Sequence, residues 1–146
     1  MEHFELAVEL LNVFQTLQKT IAQKHINDAT KGEKFVLHYI TLSGGEVLPG
    51  EIGCETHVSS ARVAATLNSL EKKGLITRQI DEGDRRKILV RITQKGREVD
   101  EENHNALLKE VTEMLSHLGE NDAKELIRII YKLANIFNEE GEENNA

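Results

Sequence analysis

Apolar residues recur at three- and four-residue steps through the first 26 residues of the chain, a segment without glycine or proline. The recurring positions are Phe4, Ala7, Leu11, Phe14, Leu17 and Ile21, with Leu6, Val8, Leu10 and Val13 added to them. Such a period is typical of an amphipathic helix, because residues three and four apart share one helix face. The additional apolar positions widen that face. We therefore expect a long terminal helix that packs against a partner beyond its own domain.

Boundary residues predict two shorter helices after this segment. Thr30 and Glu33 have the spacing of a capping box just before the apolar run 35–42, which predicts a second helix over that run. Gly44-Gly45 suits the end of this helix, because glycine adopts the backbone conformation that closes a helix. Pro49 suits the first position of a short third helix, because that position needs no amide donor.

A fourth helix and a β-hairpin are predicted next. Ser59 is a suitable N-cap for a helix that Gly74 closes. Residues 75–77 and 88–92 alternate or carry β-branched side chains, and Asp81-Glu82-Gly83-Asp84 between them has the chemistry of a turn. This pattern indicates a hairpin with a long, charged tip.

Two more helices are predicted in the C-terminal part of the chain. From Gly96 onward, the apolar positions are Val99, Leu107, Leu108, Val111, Leu115 and Leu118. Gly119 ends this helix, and Asn121 or Asp122 is suited to cap a last one. The last apolar stripe is Leu126, Ile129, Ile130, Leu133, Ile136 and Phe137. Residues 139–146 are acidic and lack apolar side chains, so we expect a disordered tail.

Size and composition limit the class of protein. A chain of 146 residues has the common size of one domain. No apolar run approaches the roughly 20 residues that a membrane-spanning helix needs. The N-terminus is acidic where a secretory signal is basic, and the lone cysteine, Cys54, has no partner for an internal disulfide. We expect a cytoplasmic protein without a transmembrane segment.

Charge is distributed unevenly along the chain. The formal net charge is −7, yet residues 60–97 contain ten basic and four acidic residues and carry +6. The remainder carries −13. A basic segment between acidic flanks fits a polyanionic partner, and it equally fits a solvated charged face.

The spacing of the elements favours the first of these two interpretations. Two short helices joined by a tight turn and followed by a basic hairpin form the layout of a winged helix-turn-helix, whose second helix enters the major groove. On that helix Val63, Leu67 and Leu70 share one face and should pack inward. The opposite face carries small or polar side chains and no acid, and the hydroxyls of Ser59 and Ser60 suit a phosphate.

Three segments in the second half of the chain resemble the signature of the MarR family (multiple antibiotic resistance regulators). They are Leu70-Glu71-Lys72-Lys73-Gly74-Leu75-Ile76-Thr77-Arg78, Asp84-Arg85-Arg86 and Ile92-Thr93-Gln94-Lys95-Gly96. The resemblance implies a homodimeric transcription factor whose first and last helices interlock. It also implies that Asp84 and Arg86 form the wing tip, with the arginine in the minor groove. The sequence departs from the family pattern at Ala65, where an arginine is usual, and at Arg62, where a small hydroxylated residue is common.

These inferences give a mainly α (α+β) winged helix-turn-helix. The expected parts are an N-terminal dimerisation helix (1–29), a DNA-binding lobe (30–96), C-terminal dimerisation helices (97–138) and the tail (139–146). The candidate contacts to double-stranded DNA are Ser59, Ser60, Ala61, Arg62, Ala65, Asn68, Ser69, Lys72, Arg78, Asp84, Arg85, Arg86 and Lys87. The family resemblance implies a repressor with a small-molecule effector, for which the candidate pocket residues are Phe14, Leu17, Phe35, Tyr39 and Val111.

Other functions stay open at this point. His25, His38, His104 and His117, with Glu33 or Glu101, define the alternative of a zinc-type metal-responsive regulator. A winged-helix protein-interaction module is another alternative, although the basic segment disfavours it. We expect no cofactor and no enzymatic activity, because no convergent set of acid, base and nucleophile is evident. Cys54 is predicted to be a small buried residue rather than a nucleophile paired with His57.

Overall fold

The computed structural model describes residues 2–24, 31–56 and 58–143. In chain order its elements are α1 (Glu2–Lys24), α2 (Lys31–Leu42), β1 (Glu46–Val47), α3 (Pro49–Thr56), α4 (Ser60–Lys72), β2 (Ile76–Ile80), β3 (Ile88–Ile92), α5 (Gln94–Leu118) and α6 (Glu120–Glu143). The backbone forms two compact units, Met1–Ile92 and Thr93–Ala146. None of the helices in the described ranges is long and apolar enough to cross a membrane. The predicted mainly α fold with a β-hairpin wing is confirmed.

The core of the first unit lies between α2, α3, α4 and a small antiparallel sheet of order β1-β3-β2. Its buried apolar side chains are Val36, Leu37, Ile40, Val47, Ile52, Val63, Leu67, Leu70, Leu75, Ile76 and Val90. These side chains come from every element between α2 and β3, so burial of apolar surface holds the helices and the hairpin together. By contrast, α1 is exposed at every position from 2 to 21.

Strand β1 was not predicted from the sequence. It is two residues long and pairs with β3 through Glu46 opposite Arg91 and Val47 opposite Val90. The amide of Ile92 extends this pairing by donating to the carbonyl of Gly45 at 2.9 Å. A strand this short has no alternating pattern of its own. Its conformation depends on a partner more than 40 residues away, which only the tertiary structure brings alongside.

The predicted ends of α4 are confirmed. The Ser59 hydroxyl accepts a hydrogen bond from the amide of Arg62 at 3.3 Å, as an N-cap does. At the other end Gly74 has φ of 76°, and the amides of Gly74 and Leu75 donate back to the carbonyls of Glu71 and Leu70. This pair of bonds is a Schellman motif, which requires the left-handed backbone that glycine adopts readily.

The second unit differs from the prediction at three boundaries. Helix α5 begins at Gln94, before the predicted start, because the Thr93 hydroxyl caps it by accepting from the amide of Gly96 at 3.0 Å. Helix α6 begins at Glu120, directly after Gly119 with φ of 84°, so the predicted caps Asn121 and Asp122 lie inside the helix. Residues 139–143 of the predicted tail are helical, since glutamate favours helix and no proline interrupts it. Residues 144–146 lie outside the described residues.

Candidate nucleic-acid interface

Helix α4 divides cleanly into an inner and an outer face. Val63, Leu67 and Leu70 are at most 3% exposed and pack into the core, as their spacing predicts. The centre of the outer face carries Ala61, Ala65 and Lys72, all exposed. Because two of these three side chains are a single methyl group, the outer face allows a close approach by another molecule to the helix backbone.

The candidate DNA contacts fall into two groups by exposure. The exposed ones are Ser59, Ser60, Ala61, Arg62, Ala65, Asn68, Lys72, Arg85, Arg86 and Lys87. Ser69, Arg78 and Asp84 are half-buried, and each has a hydrogen-bond partner within the chain. The structure therefore brings ten of the candidates to the surface of one unit and gives the other three a structural contact as well.

One flank of α4 is attached to α2 through Glu33. The Glu33 carboxylate accepts from the Ser69 hydroxyl and, at 2.6 Å, from the Lys73 ammonium group. Burial by itself raises the pKa of Glu33, but the hydrogen bonds from Lys73 and Ser69 and the lysine charge outweigh it, so the pKa lies below its ordinary value. The sequence had assigned Glu33 to a capping box with Thr30, which lies outside the described residues. Its observed partners, Ser69 on α4 and Lys73 directly after α4, lie 36 and 40 residues away.

The other flank of α4 is attached to β2 through Arg78. Its Nε and Nη2 donate to the two oxygens of Glu71 at 3.3 and 3.0 Å, and its backbone amide donates to Oε2 at 3.2 Å. These hydrogen bonds lower the pKa of Glu71 and raise that of Arg78. Nη2 also donates to the Asn68 amide oxygen at 2.6 Å. Sequence reasoning treated Arg78 and Asn68 as separate DNA contacts and missed this connection.

The wing tip is shaped by Asp84. Its carboxylate accepts from the backbone amide of Arg86 at 3.1 Å, and its carbonyl accepts from the amide of Lys87 at 3.0 Å. The aspartate therefore fixes the backbone around Arg86, while the guanidinium group extends into solvent. Arg85, Arg86 and Lys87 are exposed side by side at this tip.

Some cations of the basic segment have a carboxylate partner and others do not. Lys73, Arg78 and Arg91 are paired with Glu33, Glu71 and Glu46. Within residues 31–56 and 58–92, no carboxylate lies within ion-pair distance of the exposed cations Arg62, Lys72, Arg85, Arg86 and Lys87. All five of these lie on α4 or on the wing tip. Positive charge is therefore concentrated on the surface that α4 and the wing tip form. The acid on α4, Glu71, is neutralised by Arg78.

Comparison with known proteins agrees with this geometry. A sequence model of the MarR family matches residues 27–87, which span α2 to the wing tip. The chain is 28% identical over 132 residues to the uncharacterized HTH-type transcriptional regulator YdgJ of Bacillus subtilis (strain 168), covering 89% of this chain and 80% of that protein. Over residues 27–87 this chain is similar to the MarR family.

Solved structures of other proteins share the fold of this chain. The transcriptional regulator BldR from Sulfolobus solfataricus has a TM-score of 0.69 and 26% identity, and the alignment covers 92% of this chain and 99% of that one. Streptococcus pneumoniae FabT, solved in complex with DNA, has a TM-score of 0.62 and 21% identity over 92% of this chain and 94% of that one. The resemblance to MarR proteins is confirmed by the family model, which spans the segments 70–78 and 84–86.

The candidate effector residues do not line the cavity that is described in the first unit. That cavity has a volume of about 240 Å³ and lies between α3, α4 and the hairpin. Its lining residues are Pro49, Gly50, Gly53, Ser60, Val63, Ala64, Leu67, Arg78 and Ile88. Phe14, Leu17, Phe35 and Tyr39 lie instead on α1 and α2, exposed or half-buried, and Val111 lies on α5 in the second unit.

Two further predictions concern Cys54 and the candidate metal ligands. Cys54 is exposed, so its prediction as a buried residue was wrong. The reason is helical geometry, because Ile52 occupies the buried face of α3 and a residue two positions later points to the opposite side. His57 lies outside the described residues, as does His25. Within the described ranges no group of three or more His, Cys, Asp or Glu side chains is placed to hold a metal ion.

Proposed function

We propose that this protein is a sequence-specific double-stranded DNA-binding regulator of the MarR family that represses transcription as a homodimer. One observation carries the proposal. Within residues 58–92, the cations without a carboxylate partner lie on α4 and on the wing tip, the two elements that a winged helix-turn-helix places against DNA. Phosphate contacts by such cations supply most of the affinity, while base edges supply the specificity.

Within this proposal the two elements have different roles. Ser59, Ser60 and Arg62 at the start of α4 contact phosphates and base edges of the major groove, and Ala65 contacts a thymine methyl group. Arg86 enters the adjacent minor groove, whose negative potential attracts a guanidinium group. The fixed backbone around Asp84 supports this role, because it holds Arg86 at the tip without consuming its charge.

Exposed apolar side chains support the homodimer. In the described residues, nine large apolar side chains of α1 and thirteen of α5 and α6 are more than a third exposed. A monomer in water rarely leaves such continuous apolar stripes uncovered. A second copy of the chain, related by a two-fold axis, would cover them and would set two α4 helices about one DNA turn apart. The expected operator is therefore pseudo-palindromic.

Effector release is the second part of the proposal. Of the candidate pocket residues, Phe35 lies on α2, outside the stripes that the dimer would cover, and its side chain is 58% exposed and accessible to an apolar ligand. We expect a small aromatic or lipophilic compound that binds there to change the spacing of the two recognition helices. Titration of a compound library into the protein–operator complex tests this, with Phe35→Ala as the variant that should lose the response. Compounds that release wild-type protein and Phe35→Ala from the operator equally would contradict the assigned pocket.

A salt-titrated mobility shift on the DNA upstream of the gene tests the function itself. We expect a shift that survives excess non-specific competitor and saturates at one dimer per site. No shift at low salt, followed by no enrichment in a genome-wide selection of bound fragments, would contradict DNA binding and favour a protein-interaction module. A shift that appears only with added Zn²⁺ would favour the metal-responsive alternative. An enzymatic role is not part of the proposal, and chromosomal DNA as the partner implies a cytoplasmic location.

A further inference from the structure

Contacts within the chain itself fix the position of Arg78. Three hydrogen bonds of 3.0 to 3.3 Å connect its backbone and side chain to the carboxylate of Glu71 on α4. A guanidinium group matched to a carboxylate by two or more donors has little freedom to rotate. Its side chain is 29% exposed, and its charge is neutralised. Arg78 is therefore better suited to hold neighbouring groups than to contact a phosphate.

The neighbouring group is the carboxamide of Asn68. Nη2 of Arg78 lies 2.6 Å from Oδ1 of Asn68. A guanidinium group has donors only, so the atom facing it must be the amide oxygen and not the amide nitrogen. The Asn68 amide group is therefore oriented by chemistry, with its oxygen toward β2 and its NH₂ group directed away. Asn68 is exposed on α4, one helical turn after Ala65.

This orientation bears on base recognition. A free asparagine pairs with adenine through both amide atoms, accepting from N6 and donating to N7. The hydrogen bond from Arg78 uses one of the two lone pairs of Oδ1 and turns the oxygen toward β2, so the NH₂ group is the part of the amide that is directed away from β2. The major-groove edge of guanine offers two acceptors, N7 and O6, and no donor. An asparagine that presents its NH₂ group to a base matches guanine and loses the paired oxygen contact that favours adenine.

We propose that Arg78 is a positioning residue that orients the Asn68 amide so that its NH₂ group faces the base, and that Asn68 thereby selects guanine over adenine at one position of each operator half-site. This inference rests on the proposed function, because it assigns the specificity of the same helix. It separates the roles of two candidate contacts. Asn68 touches the base, and Arg78 acts through Asn68.

Operator selection followed by competition binding tests the proposal with the full-length protein. An operator is selected from randomised double-stranded DNA, and each half-site position is then replaced by each of the four bases. We expect one symmetric pair of positions at which guanine binds about tenfold more tightly than adenine, the size of one base-specific contact. Asn68→Ala should remove this preference there and leave the preferences at the other positions unchanged.

A charge-neutral variant isolates the role of Arg78. The double substitution Glu71→Gln with Arg78→Met removes the connection to Asn68 without changing the net charge. It should move the same position toward adenine by about tenfold or more. Glu46→Gln with Arg91→Met is the matched control, because it removes another Arg–Glu pair whose side chains make no hydrogen bond or ion pair with α4. Circular dichroism and thermal unfolding verify that each variant folds.

The possible outcomes separate this inference from the proposed function. Folded wild-type protein without sequence-specific DNA binding would overturn both. Specific binding whose base preferences are unchanged in Asn68→Ala and in the double variant would overturn this inference alone. Uniform weakening at all positions in Asn68→Ala would also overturn it, since that result indicates a phosphate contact.

Discussion

Among the arginines of the basic segment, the decisive difference is whether a carboxylate of the same chain neutralises them. Arg78 and Arg91 have such partners, whereas Arg62, Arg85 and Arg86 on α4 and the wing tip have none among the described residues. Their sequence positions do not reveal this, because all five lie in one basic stretch. An arginine without a carboxylate partner has a guanidinium group that is available to bind a phosphate. A paired arginine mainly holds neighbouring side chains in position.

Arg86→Ala tests the role of an unpaired arginine. We expect weaker binding to every DNA sequence and a slope of log K against log salt that is reduced by about 0.9, because one phosphate-proximal charge is lost. Mobility shifts at several salt concentrations measure both quantities. Lys132→Ala, which removes an equal charge from α6, is the control. An unchanged slope in Arg86→Ala would contradict the wing assignment.

Glu33, which attaches α2 to α4, should make the free energy of unfolding depend on pH in the acid range. Glu33→Gln should lower the free energy of unfolding near neutral pH by about 1 kcal/mol, because it weakens two hydrogen bonds to a carboxylate whose side chain is 17% exposed. The folded-state pKa of Glu33 lies below its ordinary value of 4.5. The contribution of Glu33 to the free energy of unfolding is therefore fully present above pH 4.5 and is lost as the pH falls through the lowered pKa.

Urea unfolding of both proteins across this pH range measures the effect. The difference between wild type and Glu33→Gln should shrink as the solution becomes more acidic. Glu46→Gln, which alters a pair with both partners about half exposed, should have a smaller effect at neutral pH. A difference that stays constant down to pH 2 would show that Glu33 contributes by packing rather than by charge.

At the scale of elements, the boundaries of α4 were predictable and strand β1 was not. The caps of α4 depend on residues within one turn of each helix end, and serine and glycine carry that information locally. Strand β1 depends on pairing with β3 across more than 40 residues. The connections from α4 to Glu33 and Arg78 were missed for the same reason, since each joins residues of different elements.

Gly74→Ala tests the local signal at the end of α4. Gly74 has φ of 76° with no atom within 4 Å of an added Cβ, so the cost is backbone strain alone. We expect a loss of about 1 kcal/mol in unfolding free energy. Gly32→Ala is the matched control, because this glycine lies in α2 with equal space and without a positive φ. It should gain about 0.5 to 1 kcal/mol, and equal losses in both would refute the strain argument.

For the whole molecule, the apolar faces of the terminal helices are the feature that a single chain leaves unsatisfied. The buried apolar side chains of the described residues all lie between Val36 and Val90. The apolar stripe of α6 nevertheless has the three- and four-residue spacing of a packed helix. We attribute this spacing to selection for a contact between two copies of the chain.

Leu133→Glu tests that contact. Leu133 is 49% exposed in the single chain, and a carboxylate there would be buried without a partner in the dimer. We expect the mass measured by light scattering to fall to that of one chain, with loss of tight operator binding. Asn135→Glu on the opposite face of α6 should stay dimeric. Wild-type protein that is monomeric at micromolar concentration would contradict the homodimer.

By itself, the sequence determined the helices, the inner face of α4, the hairpin and the MarR resemblance, because periodicity, caps and short motifs are local properties. Only the tertiary structure decided which cations are neutralised, because Glu33, Glu46 and Glu71 reach their partners across packed elements. It also decided that Cys54 is exposed and that the amide of Asn68 is oriented by Arg78. Those outcomes depend on side-chain distances of a few ångströms between elements, which no pattern along one chain specifies.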